Sequence, residues 1–218
     1  MYSIETLKII DSLSEPVPNT FFRQKNETRH LAVLLPGLGY TSQMPVMYYP
    51  CLALIAKGAD VLRADYNYVR RADFMVLEPE ARRRLAAADA IAVYSGAIMQ
   101  RDYDIVTLVG KSIGTYAMGH LITTVTHLPK LQCIWLTPLL KHEHLLSQIK
   151  QAKHKALFVT GTDDPYFDKP NLDDLMNATN GQSIVIEGAD HSLEVYGDVM
   201  KSLEALEQIV KVIIKFID

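Results

Sequence analysis

The chain has 218 residues, 49% of them hydrophobic and 22% charged, with a formal net charge of -3. That length can bury one sizeable core, and the charge balance gives no electrostatic reason to expect nucleic acid or an anionic membrane surface as a partner. The sequence shows no basic leader before an apolar core and no apolar stretch of membrane-spanning length, and its two cysteines, Cys51 and Cys133, fit buried reduced thiols better than a disulfide framework, so we expect one unexported domain in a reducing cytoplasm.

Residues 1–30 carry the weakest pattern: loose alternation over Tyr2 to Ile10, a Ser/Pro-rich turn at Ser12 to Pro18, then Thr20-Phe-Phe-Arg23. They predict a peripheral hairpin. From Leu31 the signal sharpens, because Leu31-Ala-Val-Leu-Leu35 is the continuous apolar run of a strand buried on both faces, and Pro36-Gly37 ends it. A helix entered at Pro45 or Pro50 and closed by Gly58 comes next. Asp60 to Asp65 is a strand, Tyr66 to Phe74 an aromatic and basic loop, and Pro79 opens a helix running to about Gln100. In that helix Leu85, Ala88, Ala92 and Met99 fall near one face, and Arg82-Arg83-Arg84 read as a solvated charge run.

The strand Asp104 to Gly110 leads into a helix on which Ile113, Ala117, Leu121 and Thr124 recur at helical spacing until Pro129 stops it. After it come strand Leu131 to Thr137, one helix within Leu139 to Lys153, strand Lys155 to Thr160, a helix over Asn171 to Ala178 and strand Ser183 to Glu187. An amphipathic helix carrying Leu203, Leu206, Val210, Ile213 and Ile217 closes the chain. This alternation predicts an α/β fold of three layers, a mostly parallel central sheet with helices on both faces, since parallel neighbours need crossovers. Function in such sheets collects beyond the carboxyl ends of the strands. The residues that follow the apolar runs are Gly37 to Tyr40, Asp65, Ser112, Pro138, Asp164 and His191.

Gly110-Lys-Ser-Ile-Gly114 lies between a strand and a helix. Gly-Lys-Ser also ends a phosphate-binding loop, but that loop needs a Gly five residues before its last one, and Ile105 stands there inside the strand. The other reading is a sharp turn that strains and exposes Ser112 while flanking small residues let the chain segments pass closely. A Ser hydroxyl attacks only when a base takes its proton, the base needs a third group to hold its tautomer, and the developing oxyanion needs donors. His191 in Gly-Ala-Asp-His-Ser and Asp164 in Gly-Thr-Asp-Asp-Pro each follow a strand end, giving the chain order Ser, Asp, His.

Through Leu-Leu-Pro-Gly-Leu-Gly-Tyr40, Gly-Lys-Ser-Ile-Gly114, Thr-Gly-Thr-Asp-Asp-Pro165 and Gly-Ala-Asp-His191, the sequence resembles the α/β-hydrolases from about Leu31 to the C-terminus. Through Met44 to Tyr49 with Val61-Leu-Arg-Ala-Asp-Tyr66 it resembles, more loosely, their small, lidless, dienelactone-hydrolase-like members. The resemblance implies Ser112 as nucleophile, His191 as general base and then acid, Asp164 as orienting carboxylate, and the backbone N–H groups of Leu38 and Ile113 as the oxyanion hole. Pro165 adds a physical reason for Asp164 over Asp163, since it pushes the residue before it toward extended geometry and stiffens the turn. The chain departs from the pattern where many members carry His-Gly and it has Pro36-Gly37, and in Lys111 before the nucleophile.

The expected function is hydrolysis of a small carboxylic ester or thioester through an acyl-enzyme on Ser112, with a small-molecule acyl substrate and no metal or organic cofactor. Acyl transfer or peptide cleavage would use the same triad, and a binding module with a vestigial triad is the alternative of another class. Tyr40, Tyr48, Tyr49, Tyr66 and Tyr166 flank strand ends as pocket-lining or packed aromatics, with Tyr40, Tyr66 and Tyr166 the pocket candidates. His30, His120, His127, His142, His144 and His154 lack such a setting. His142-x-His144 on a helix would point its rings to different faces, so both are expected on a solvated surface rather than on a metal. The short span from Pro138 to Lys155, where lids are inserted, has room for about one helix and predicts an open site.

Overall fold

The computed structural model describes residues 1–11 and 13–218. Among them, β1 (Tyr2–Glu5), β2 (Asn19–Gln24), β3 (His30–Leu35), β4 (Asp60–Ala64), β5 (Ile105–Lys111), β6 (Lys130–Leu136), β7 (Lys155–Gly161) and β8 (Gln182–Ile186) form one sheet in the order β1-β2-β4-β3-β5-β6-β7-β8. Strands β3 to β8 run parallel to one another, and at one edge β2 pairs antiparallel with β4 and β1 antiparallel with β2. The helices are α1 (Pro45–Ala56), a single turn α2 (Ala72–Met75), α3 (Pro79–Ile98), α4 (Ile113–Thr124), α5 (Glu143–Ala152), α6 (Lys169–Thr179) and α7 (Val199–Ile217). This is the three-layer, mostly parallel α/β arrangement expected from the sequence.

The layers follow from strand pleat. In β3, Leu31, Val33 and Leu35 enter the core under α3 to α6, while Ala32 and Leu34 enter the one under α1 and α7, which is why the strand reads as unbroken apolar sequence. β3 pairs with β4 on one side and β5 on the other, so the winding reverses between β3 and β5. A crevice opens above the strand ends at such a reversal. Two backbones come close there: a Cβ on Gly114 would lie 2.2 Å from the carbonyl oxygen of Leu35, at the end of β3.

Several expectations are corrected. The N-terminal hairpin stands at the edge of the main sheet and is built into it: β2 pairs with β4, Phe21 is fully buried, and the Asp60 carboxylate accepts the Gln24 backbone N–H at 2.7 Å. On α3 the buried residues are Ala86, Ala87, Asp89, Ala90, Val93, Tyr94 and Ala97, whereas Met99 is 82% exposed beyond the helix end. Small alanines carry little periodic signal, so the larger residues beside them misplace the face. On α7, Ile213 and Ile217 are buried as expected, but Ala205, Ile209 and Phe216 complete the stripe and Leu203 is exposed. The arginine run is only partly solvated. Arg82 donates to the carbonyls of Leu77 and Met75, which the preceding turn leaves open, and Arg83 pairs with Glu80 and lies over the Tyr116 ring; Arg84 is exposed.

Tyr66 is not a pocket residue. It is buried, its ring 4.4 Å from that of Tyr68, which stacks on Phe74 at 4.1 Å. The Tyr68 hydroxyl donates to Asp89 Oδ2 at 2.7 Å, and Asp89 Oδ1 has no partner. Burial pushes the Asp89 carboxyl up to about 6 although the Tyr68 bond opposes the shift.

The raised native value sets a sign. The unfolded chain loses the Asp89 proton first, so this group's contribution to stability is complete at pH below about 4 and is lost as pH rises through about 6. Asp89→Asn keeps an acceptor for Tyr68 without the charge. It should stabilise the protein by about 1–2 kcal/mol at pH 7.5 and change little at pH 4, read by denaturant unfolding at both; a variant less stable at pH 7.5 would contradict the assignment. Gly114→Ala, which drives a methyl into the Leu35 carbonyl, should cost at least about 2 kcal/mol in the same measurement. A cost below about 0.5 kcal/mol would mean that the two backbones are not held together.

Candidate active site

Ser112 follows β5 directly and has φ 54° and ψ -119°, a left-handed backbone that a side chain rarely adopts. The strain is held on both sides. The Ser112 N–H donates to the Leu136 carbonyl at 3.1 Å, continuing the pairing with β6, and its own carbonyl accepts both the Thr115 N–H at 2.8 Å and the Thr115 hydroxyl at 2.6 Å. Gly110 makes the tight bend possible, since a Cβ there would sit 2.8 Å from the Gly114 carbonyl oxygen. Such strain costs about 1–3 kcal/mol and persists only where the surroundings fix it.

The loop after β7 carries the acid and the loop after β8 the histidine, and the two are zipped together. Thr162 N–H donates to the Ile186 carbonyl, Asp163 N–H to the Ala189 carbonyl, and Gly188 N–H to Thr162 Oγ1. Gly161 permits this approach, because a Cβ there would lie 2.0 Å from the Ala189 carbonyl oxygen. Asp190 shapes the next turn by accepting the Ser192 N–H at 2.7 Å, and Leu193 takes φ 66°. His191 is thereby presented to the β5 end.

The three predicted side chains meet. His191 Nε2 lies 2.8 Å from Ser112 Oγ, and His191 Nδ1 lies 2.8 Å from Asp164 Oδ2. A carboxylate can only accept, so Nδ1 carries a proton, and in the neutral ring Nε2 is left as the acceptor facing the hydroxyl. The Asp164 side chain is fully buried and its Oδ1 accepts the Tyr166 N–H at 2.8 Å; the His191 side chain is 31% exposed. Asp163 is exposed and takes only the Thr162 hydroxyl at 3.2 Å. The adjacent acids thus point apart, and Asp164 is the one that meets the imidazole.

A cavity of about 370 Å³ opens over Ser112 and is walled by Leu38, Tyr40, Met44, Lys111, Tyr166 and His191 among others. Tyr40 and Tyr166 therefore stand where expected, the Tyr166 ring 5.3 Å from the imidazole. Tyr48 and Tyr49 do not: both lie exposed on α1, edge to face with each other. The Gly37 to Tyr40 turn is closed by the Gly37 N–H donating to the Tyr40 carbonyl at 3.0 Å. Asp65, at the same end of the sheet, is committed elsewhere, accepting from Ser42 and Arg63. Helix α5 packs beside α4 and α6, occupying the span where a lid would be inserted.

Lys111, Thr115 and Asp190 were given no role by sequence reasoning. Asp190 had a signal as an Asp in a polar turn, and Thr115 as a hydroxyl three residues into a helix, but Lys111 only as an oddity in the motif. His142 also differs from expectation. It stands just before the start of α5 without a side-chain bond to the helix, half-buried with its ring 5.1 Å from that of Tyr116, and its Nδ1 is buried without a partner. Burial lowers its pKa. Among the described residues no three His, Cys, Asp or Glu side chains group as a metal site would require, and no helix is long and apolar enough to cross a membrane. Cys51 and Cys133 are buried free thiols, both pushed up to about 12 by burial.

Three solved structures share this fold over nearly their whole length. An alpha-beta serine hydrolase homologue from Coxiella burnetii superposes with a TM-score of 0.67 at 19% identity, covering 95% of this chain and 96% of that one. An esterase from Pyrococcus furiosus gives 0.66 at 12% identity, covering 98% and 92%. A candidate dienelactone hydrolase from Klebsiella pneumoniae gives 0.67 at 14% identity, covering 99% and 98%. At such identities the likeness is one of fold. No curated protein matches the sequence. The model of an alpha/beta hydrolase domain matches residues 28–218; with the resemblance read from the four motifs and the fold now in agreement, the chain belongs to the alpha/beta-hydrolase family.

Proposed function

We propose that the protein is a serine hydrolase that cleaves a small carboxylic ester or thioester through an acyl-enzyme on Ser112. The observation that carries this reading is the unbroken line from Asp164 Oδ2 through the His191 ring to Ser112 Oγ, each link 2.8 Å. In the first half-reaction Ser112 Oγ attacks the acyl carbon as His191 Nε2 takes its proton. The Asp164 carboxylate holds the Nδ1–H tautomer and stabilises the imidazolium that forms. The same proton then goes to the departing alkoxide or thiolate, leaving an ester on Ser112, and water attacks that ester by the reverse route.

Negative charge on the tetrahedral carbon's oxygen needs fixed donors. Ile113 opens α4, so its N–H has no partner within the helix, and the helix dipole adds to it. Leu38 lies in the facing turn on the cavity wall. These two backbone N–H groups are our oxyanion hole. Replacing a histidine by Pro36 ahead of this turn leaves the backbone donors in place. A cavity of about 370 Å³ suits a compact acyl group, which is the reason for placing small substrates first.

Two measurements check this reading. A fluorophosphonate should label the folded protein at Ser112, and Ser112→Ala should lose both the label and the turnover of p-nitrophenyl acetate. A folded wild type that neither labels nor turns over would favour the binding-module alternative. Asp164→Asn should lower kcat on the order of 10⁴-fold by losing the charge that holds the imidazole. Asp163→Asn, outside that line, should stay within about tenfold. The reverse ranking in variants of matched stability would move the orienting role to Asp163.

A further inference from the structure

Lys111 is the last residue of β5, and it is 1% exposed. Its ammonium is held by a hydroxyl, a carbonyl and an aromatic face rather than by a carboxylate. Nζ donates to Thr137 Oγ1 at 2.8 Å and to the His191 carbonyl at 2.6 Å, and it lies 4.6 Å from the centre of the Tyr40 ring. These partners come from three different loops. Thr137 directly follows β6, Tyr40 closes the turn after β3, and His191 sits beyond β8. Lys111 itself is bonded to Ser112, so one ammonium ties the nucleophile's strand to every other segment that walls the site except the acid loop.

Its partners are themselves fixed. Thr137 takes φ 43°, rare for a β-branched residue, and its N–H donates to the Val159 carbonyl at 2.7 Å. The Tyr40 hydroxyl accepts the Val46 N–H at the start of α1, which anchors its ring. A role in stability alone does not account for the residue. Desolvation drags the lysine pKa down to about 7, with the charges of Asp164 and Asp190 opposing the shift, so burial of this cation works against folding. An apolar side chain would fill the same space without that cost.

Resting on the reading of Ser112 and His191 as nucleophile and base, we propose that Lys111 is a positioning residue: by gripping the His191 carbonyl while seated on Thr137 and Tyr40, it sets the imidazole against Ser112 Oγ and braces the turn that carries Leu38. It touches no reacting atom. Its effect passes through the backbone of His191 and through the Tyr40 ring.

Lys111→Met keeps most of the stem and removes the ammonium; Thr137→Val keeps the shape at that position and removes the seat. Each is compared with wild type in turnover of p-nitrophenyl acetate, in thermal melting, and in the downfield proton NMR signal of the His191 Nδ1–H bonded to Asp164. Lys111→Met should lose or broaden that signal and lower kcat by about 10- to 100-fold with KM changed less than about threefold, as for a misplaced catalytic group. It should melt no lower than wild type. Thr137→Val should move signal and kcat the same way by less. If Lys111→Met does not fold, Thr137→Val decides. A retained signal with kcat within about twofold of wild type overturns the proposal, as does a lower melting temperature with kcat per folded molecule unchanged, the mark of a purely structural lysine. The NMR signal needs no turnover: an inactive wild type whose signal is lost in the variant sinks the hydrolase reading and leaves the positioning role standing.

Discussion

The structure depends on one tight fit, the passage of the β5–α4 turn beneath the end of β3. A side chain at Gly114 would occupy the place of the Leu35 carbonyl, and one at Gly110 would meet the far arm of its own turn. Between them Ser112 is forced to φ 54° and held there by bonds from Thr115 and to Leu136. Two consequences follow from that bend. The hydroxyl stands at the cavity while the Ser112 N–H still pairs with β6, and α4 begins at the very next residue. On the proposed reading, nucleophile and electrostatic stabiliser come from a single backbone event, and the remaining strand ends have only to deliver a base and its orienting acid.

They do so by a second close approach of the same kind. Gly161 lets the acid loop lie against the Ala189 carbonyl, and bonds from Thr162, Asp163 and Gly188 lock the two loops as one unit. His191 and Asp164 are therefore positioned relative to each other before either is positioned relative to Ser112. What joins that unit to the nucleophile's strand is the His191–Ser112 bond itself and the Lys111 ammonium. Two close glycine contacts thus fix the two halves of the site, and those two bonds join them.

Much of this was legible in the sequence because the chemistry requires particular residue types at strand ends. Apolar runs at β3, β5, β6 and β7, broken inside only by Thr107 and Gln132, mark strands buried on both faces, and a parallel sheet then gathers whatever follows them at one edge. The choice of Asp164 over Asp163 rests on Pro165 and on family likeness, and Asp164 is the acid whose side chain lies against the imidazole. Less legible were the features that depend on which neighbour a side chain finds. Tyr66 and Tyr40 both follow strand ends, yet only packing reveals that one is walled in by Tyr68 and the other faces Ser112. The buried stripe of α3 is built largely from alanine around Asp89, residues that a hydrophobic period does not single out. α7 is apolar over more than one stripe, and the sequence alone does not say which one the sheet covers. The N-terminal strands join the sheet through β2, which pairs with β4 by backbone bonds that leave no periodic trace.

The central claim is that Ser112 carries the acyl group between two chemical steps. Rapid-quench mass spectrometry of wild type mixed with p-nitrophenyl acetate tests it most directly, by asking where the acetyl group resides before water removes it. The account predicts an acetyl adduct on the peptide containing Ser112, formed as fast as the first equivalent of nitrophenol is released and then decaying at the steady-state rate. Nitrophenol release with no adduct, or an adduct on another residue that Ser112→Ala leaves intact, would contradict it.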